Sequence, residues 1–357
     1  MRPASCLMRS MEFGIALTSE TDSWKVAQRA EELGFAYAWF YDSQLLYTDV
    51  FVSMALAAEH TSRIKLATGV LIPTNRIAPV AANCFASLAK LAPGRAVFGV
   101  GTGFTGRNTL GLPAQKLSDM RDYIAVVRAM LRGETVEWAT EGTTRKVRFL
   151  NPEVGLVALE DVPVHISAFG PKARALTASV ADGWVTFMGP LGAATHQLEE
   201  MDGACRAAGR DPASLYKTVF TLGCVMGEGE AADSPRVMAQ AGPGSAVSWH
   251  GMMERWAALP QEARETAAPY RALYESYQPA DARYLSLHAG HLLHVRDDER
   301  RFVTAEMIRG GSFTGTTAEL RERVAQLEAA GFDQLTIQLV HGQESAIEDW
   351  AKLFGLA

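Results

Sequence analysis

Cysteine is scarce in this chain of 357 residues: four occur, Cys6, Cys84, Cys205 and Cys224, with no CxxC pair. That spacing argues against a disulfide scaffold and fits a reduced, cytoplasmic protein. Long apolar runs are also lacking. None approaches the ~18 residues that span a bilayer, so no membrane role is expected. The opening MRPASCLMRS has no apolar segment of signal-peptide length and reads as a loose lead before Met11. No run of five like charges occurs, and a net charge of −6 argues against a nucleic-acid-binding face. HExxH, GxSxG and a P-loop are all absent.

What is present is a large apolar fraction, 48% of residues, arranged in a regular alternation. Short apolar runs at 13–17, 35–41, 64–68, 96–100, 164–167, 183–187, 217–226 and 334–339 read as strands. Amphipathic stretches at 23–33, 49–59, 79–91, 118–131, 172–181, 193–208, 317–330 and 345–354 read as helices. Ser23 is expected to cap the first, with Gly34 and Gly331 ending two of them. In the third, Val80, Cys84, Leu88 and Leu91 mark the apolar face. Alternation implies parallel strands joined by helical crossovers, and eight units close into a (β/α)8 TIM barrel. An open doubly wound sheet is the competing architecture. Two segments break the rhythm. Alternating residues either side of Glu141-Gly142 predict a β-hairpin insertion over 134–151. Residues 227–311, rich in Gly, Ala and Met, predict a lid or packing arm within a single domain spanning 1–357.

In a parallel α/β protein ligands bind beyond the C-terminal ends of strands. The glycine loop Gly101-Thr102-Gly103-Phe104-Thr105-Gly106 lies at one such end. It spells GxGxxG but follows the fourth strand, and Pro113 and an irregular run separate it from its helix, so a dinucleotide fold is disfavoured. It reads either as a tight turn or as backbone that lets a flat ligand approach. Gly170-Pro171-Lys172 follows His165-Ile166-Ser167-Ala168 and opens a helix, which makes an anion site. Asp42 ends the second strand and either meets a ligand or caps its loop. Gly69 to Pro73 reads as loop beyond the third strand. His288, His291 and His294 lie three apart, but on a helix the first and last stand ~120° apart, so no metal site is assigned. Substrate contact or proton handling, or a plain structural role, suits them better.

Five segments in order resemble the luciferase-like monooxygenase superfamily: AQRAEELGFAYAWFYDSQ (27–44), TSRIKLATGVLIPTNRIAP (61–79), LAPGRAVFGVGTG (91–103), GPKARALTASVADGWVTF (170–187) and FTGTTAELRERVAQLEAAGFDQLTIQL (313–339). GTGFTGRNTLGL is most similar to the methylenetetrahydromethanopterin-reductase-like branch. The resemblance implies a barrel that binds FMN or the deazaflavin coenzyme F-420. It implies a cis bulge at Gly69 and Val70 supporting the ring, Gly101 and Gly103 lining its pocket, and Asp42 on the ligand side. It implies phosphate contacts from Gly170, Pro171 and Lys172, with Ala168 among the cofactor-binding residues. His291 and His288 are the catalytic candidates for moving protons beside the ring. Two positions depart from the deazaflavin pattern: Ser43 stands where a histidine is common and Phe104 where a glutamate is common. The leading expectation is therefore an FMN-dependent monooxygenase acting with O2 on a small organic substrate, with a separate flavin reductase and a homodimer joined through its second and third helices. The alternatives are an F-420-dependent reductase or dehydrogenase, a non-catalytic flavin-binding barrel, and a metal-dependent hydrolase, for which only Asp42 and His165 lie near strand ends.

Overall fold

The computed structural model describes residues 10–189 and 191–356; the lead before Met11, including Cys6, lies almost wholly outside them. Eight parallel strands close a barrel: β1 (Glu12–Leu17), β2 (Tyr37–Phe40), β3 (Lys65–Thr68), β4 (Ala96–Val100), β5 (Val164–Ser167), β6 (Gly183–Phe187), β7 (Tyr216–Thr221) and β8 (Gln334–Gln338), with β8 pairing to both β7 and β1. All four residues of β2 are buried, as expected for a parallel strand covered on both faces. Trp39, Phe220, Val97 and Val185 fill the barrel interior, and Trp39 Nε1 donates to Gln334 Oε1 at 3.0 Å.

Helices α1 (Ser23–Leu33), α2 (Val50–His60), α3 (Ala78–Leu91), α4 (Leu117–Leu131), α5 (Pro171–Val180) and α6 (Leu191–Ala207) alternate with the strands. Asp49 caps α2 by accepting from the Phe51 and Val52 amides. Ser23 does not cap α1 from outside. It is the helix's first residue, and its hydroxyl donates to the Thr18 carbonyl. The apolar stripe of α3 also differs from expectation. The buried face is Ala81, Ala82, Phe85, Ala86, Leu88 and Ala89, whereas Val80 and Leu91 are 45% and 47% exposed. Leu88 is buried as expected, but the face is set by Phe85 and the alanines around it, which turns Val80 and Leu91 at the helix ends outward.

The hairpin insertion forms as Val136–Thr140 paired antiparallel with Thr143–Val147. Its two-residue turn has both Glu141 and Gly142 at positive φ (49° and 73°). The seventh strand is shorter than expected: β7 stops at Thr221, and Val225–Met226 forms a separate parallel pair with Gly315–Thr316. Gly223 lies at the break, where an added Cβ would stand 2.1 Å from the Phe313 carbonyl oxygen.

Residues 227–311 are helical. α7 (Pro235–Glu254) and α8 (Gln261–Ser276) are followed by short helices at Arg283–Leu287 and Ala305–Gly311. The chain returns through α9 (Thr317–Ala330), which carries a full Thr316–Glu319 capping box and a left-handed Gly331 stop, and ends in α10 (Ile347–Phe354). No described helix is long and apolar enough to cross a membrane.

Candidate active site

Two cavities stand at opposite mouths of the barrel. The N-terminal one, about 460 Å³, is lined by Glu12, Glu31, Lys65 and Tyr216. Glu31 there accepts the amides of Ser62, Arg63 and Ile64, which closes a loop. Such residues stabilise the fold. The C-terminal one, about 590 Å³, is walled by the ends of seven strands and roofed by α7 and the turn at His291. Its size suits a small-molecule site.

The glycines at this mouth have a packing reason. After Thr68 the Gly69–Val70 peptide is cis, and Leu71 then rejoins the sheet opposite Val100. The segment expected as a plain loop is thus a bulge inside an extended strand. The Leu71 amide donates to Gly99 O at 2.8 Å, and the Gly101 amide donates back to Leu71 O at 3.1 Å. A Cβ on Gly99 would lie 2.0 Å from Thr68 O, one on Gly101 2.8 Å from a Val70 methyl, and one on Gly103 2.7 Å from an Ile72 methyl. Gly103 also has φ +79°. The glycine loop therefore admits the bulge, and together they form one wall of the cavity. Three half-exposed rings, Phe104, Phe169 and Phe187 (40%, 50% and 41%), face the same space.

Asp42 lines the cavity, but its carboxylate is engaged: it accepts from the Ile72 amide (3.0 Å) and pairs with Arg76 at 2.9 Å. Burial raises its pKa, opposed by the Arg76 charge and the Ile72 amide. Of the two readings of Asp42, this geometry favours a pin for its own loop.

Ala168 does not face the cavity. Its side chain is in the core, its amide donates to Val185 O, and its carbonyl accepts Trp184 Nε1 at 2.8 Å. Ser167 and Phe169, its neighbours, line the cavity instead. Strand alternation gives the reason, since successive side chains point to opposite faces. Gly170, Pro171 and Lys172 are exposed at the start of α5, whose N-terminus has no side-chain cap. Lys172 has no ion-pair or hydrogen-bond partner among the described residues, so the helix end and a free cation lie together there.

His165 is not at a strand end. It sits inside the barrel against Trp39 and Tyr216, with ring centroids 5.7 and 5.5 Å away. Gly183 leaves room for its ring. Burial lowers its pKa to about 4. Among the described residues, no ring of acids and histidines at strand ends supports the hydrolase alternative.

The two catalytic candidates part company. His291 lines the cavity; its Nε2 stands 3.3 Å from Thr105 Oγ1, and its carbonyl accepts Tyr47 Oη at 2.7 Å. Burial, then the neighbouring His250 and His288, hold it well below the ordinary histidine pKa, so it is neutral. His288 is buried behind the wall, 2.5 Å from Glu254 Oε1, and is not on the cavity surface. His294 is exposed. The third member of the cluster is His250 on α7, which the HAGH spacing does not reveal. The sequence signal for it was His250 and Glu254 one helical turn apart in HGMME.

The matching family model is luciferase-like monooxygenase, over residues 14–334, and the chain belongs to that family. It is similar to the 5,10-methylenetetrahydromethanopterin reductase of Methanolobus tindarius, 30% identical over 207 residues, 57% of this chain and 62% of that protein. It is also similar to the F420-dependent hydroxymycolic acid dehydrogenase of Mycobacterium tuberculosis, 30% identical over 221 residues, 58% of this chain and 59% of that protein. The matches thus span about six-tenths of the length of these relatives. Among solved structures, the coenzyme F420-dependent tetrahydromethanopterin reductase of Methanopyrus kandleri superposes with a TM-score of 0.71 at 20% identity, covering 96% of this chain and 98% of that one. This likeness bears out the (β/α)8 barrel.

Proposed function

We propose that the chain is an oxidoreductase transferring hydride between a small organic substrate and deazaflavin coenzyme F-420. The observation that carries a ligand here is the convergence of three half-exposed phenylalanines on a cavity backed by the Gly69–Val70 bulge. Exposed apolar surface in a concave site marks ligand binding. The deazaflavin is favoured because the mycobacterial relative is described as F420-dependent.

The residues present fit such a group. The apolar walls and the bulge would back a flat ring, and Gly101 keeps that wall flush. Gly170, Pro171 and Lys172 would hold a phosphate at the uncapped end of α5. When bound, the cofactor supplies the hydride chemistry. The chain excludes water with Phe104, Phe169 and Phe187, and His291 holds a neutral imidazole at the cavity surface as the proton-handling group. The lid helix α7 sets substrate choice through Val247 and Ser248, with Arg255 just past its end, all lining the roof.

An FMN-dependent monooxygenase with a separate flavin reductase is the second reading. The observation favouring it is the pair of departures at Ser43 and Phe104, both on the cavity. A non-catalytic flavin-binding barrel is the third. Titration of purified protein by calorimetry with F-420, FMN and reduced FMN, followed by anaerobic and aerobic turnover, separates them. Tighter binding of F-420 and oxygen-independent turnover are expected. Oxygen consumption with reduced FMN transfers the reading to the monooxygenase, and binding without turnover to the third. Binding of neither at ~100 μM, about −5.5 kcal/mol, ends all three.

The exposed Val52, Ile77, Val80 and Leu91 on and beside α2 and α3 support a homodimer through that face. Val80→Asp is expected to yield monomers by sedimentation; an unchanged oligomeric state removes this face from consideration.

A further inference from the structure

Behind the roof of the cavity lies a cluster of buried polar groups for which the proposed chemistry supplies no partners. Of the 16 buried side-chain polar atoms without a hydrogen-bond partner among the described residues, six belong to it: His250 Nδ1, His291 Nδ1, both ring nitrogens of His288 and both carboxylate oxygens of Glu254. His288 Nε2 and Glu254 Oε1 are 2.5 Å apart but misaligned for a hydrogen bond. His250, His288 and His291 are 2%, 1% and 3% exposed. Buried polar atoms normally find partners, so six orphans in one place call for a missing one.

We propose that His250, His288, His291 and Glu254 bind a single first-row divalent metal ion of the zinc class, in a closed site between α7 and the turn at 288–291. Four arguments support it. The first is geometry: the three rings form a nearly equilateral triangle, with centroids 5.9, 5.7 and 5.6 Å apart. Imidazoles ~2.0–2.1 Å from zinc in tetrahedral array have centroids about 5.2 Å apart, so contraction of about half an ångström closes the site. One donor atom from each already lies within 4.8 Å of the others.

The second is donor chemistry. Three imidazoles and a carboxylate are a zinc-type set, and His250 and Glu254 present theirs from one face of α7. The third is the outer layer. His250 Nε2 bonds Glu299 Oε1 at 2.8 Å, which leaves Nδ1 for the ion. Glu299 is itself 1% exposed and held by Arg296 at 2.8 Å and by the Tyr270 hydroxyl. A metal-binding histidine commonly donates its other nitrogen to such an anchored carboxylate. The fourth is His291, whose Nε2 faces Thr105 at the cavity while Nδ1 is unpartnered. An ion on Nδ1 fixes the tautomer with its proton on Nε2, toward the cavity. The ion would therefore clasp the lid together and orient the one histidine that reaches the cavity.

The test uses untagged full-length protein, stripped by chelator dialysis and titrated with Zn²⁺ and Co²⁺. Binding of one equivalent is expected, with tetrahedral cobalt ligand-field bands, no thiolate charge-transfer band and a raised Tm. Glu299→Gln should weaken zinc binding by roughly 10–100-fold, and His250→Ala and His288→Ala by more. The exposed His294→Ala should bind as the unaltered chain does. Stripped protein that takes up less than half an equivalent, a thiolate band, or ligand variants that bind normally would each overturn the site. Should a variant fail to fold, stoichiometry and cobalt spectrum of the unaltered chain decide alone.

Discussion

The barrel and the 227–311 segment solve the same problem, burying polar groups, in opposite ways. In the barrel, most polar side chains facing inward are paired within the sheet: Trp39 and Thr336 with Gln334, Thr68 with Gly99. In the lid segment, three buried histidines and the half-buried Glu254 hold six polar atoms that make no hydrogen bond. A regular sheet distributes its polar groups by rule, whereas a packed set of irregular helices keeps a polar cluster only where something repays it. The difference points to the lid as the place where this chain departs from a bare scaffold.

The comparison is tested hardest at the seam between β3 and β4. Gly99→Ala would place a methyl 2.0 Å from the Thr68 carbonyl oxygen, where only backbone can give way. Overpacking of that kind should cost at least ~3 kcal/mol, read as a lower urea midpoint. A midpoint within ~1 kcal/mol of the unaltered chain would show the bulge to be pliable.

The barrel has two exceptions to its own rule, Thr218 Oγ1 and His165 Nδ1, and the second titrates. His165 is buried beside Trp39 and Tyr216 with Nδ1 unpaired, and its pKa falls from the ordinary 6.5 to about 4. Between those values the unfolded chain binds a proton that the folded chain refuses, so stability falls as pH falls through that window. The loss should reach about 3 kcal/mol by pH 4 and level off below it. His165→Gln should flatten that part of the stability profile. An identical profile in the variant would assign the acid sensitivity to other groups.

Legibility in the sequence follows the same divide. The strands and helices of the barrel were readable because most obey a short-range rule: Gly34 and Gly331 stop helices at φ 96° and 106°, though the cap expected at Ser23 is not made and Asp49, placed inside its helix, is the residue that caps it. The bulge at Gly69 and Val70 was readable only through the family resemblance, since a bulge leaves no periodicity, whereas Gly101 and Gly103 already stood out as glycines at a strand end. The role of Ala168 was misplaced by one residue on each side, which strand alternation converts into the wrong face. His250 was missed because only tertiary packing of α7 against the turn at 288–291 brings it to His288 and His291, and the stripe of α3 was read correctly at Leu88 but not at Val80 and Leu91, which face outward while Phe85 and the alanines pack inward.

Asp42 sharpens the comparison at the cavity rim, where scaffold and site meet. Asp42→Asn keeps an oxygen for the Ile72 amide and loses the Arg76 ion pair, while Arg76 retains Asp49. A stability cost of about 2 kcal/mol is expected, with cofactor affinity nearly unchanged once folding is accounted for. A cofactor affinity that drops while stability holds would make Asp42 a ligand contact after all.

The smallest effect is expected at the hairpin, the one insertion that carries no buried polar cluster. Gly142 sits at φ 73° in a two-residue turn whose strands are mostly exposed, with Val136, Trp138 and Val147 resting against the main core. Gly142→Ala should cost about 1 kcal/mol, because an L-residue enters the left-handed region only with strain. That cost should remain local. Trp138 fluorescence should report earlier loosening of the hairpin while the main unfolding transition and ligand binding stay where they were. If the main transition moved by the full amount instead, the hairpin would belong to the cooperative unit of the barrel, and the contrast between scaffold and insertion would hold for the lid alone.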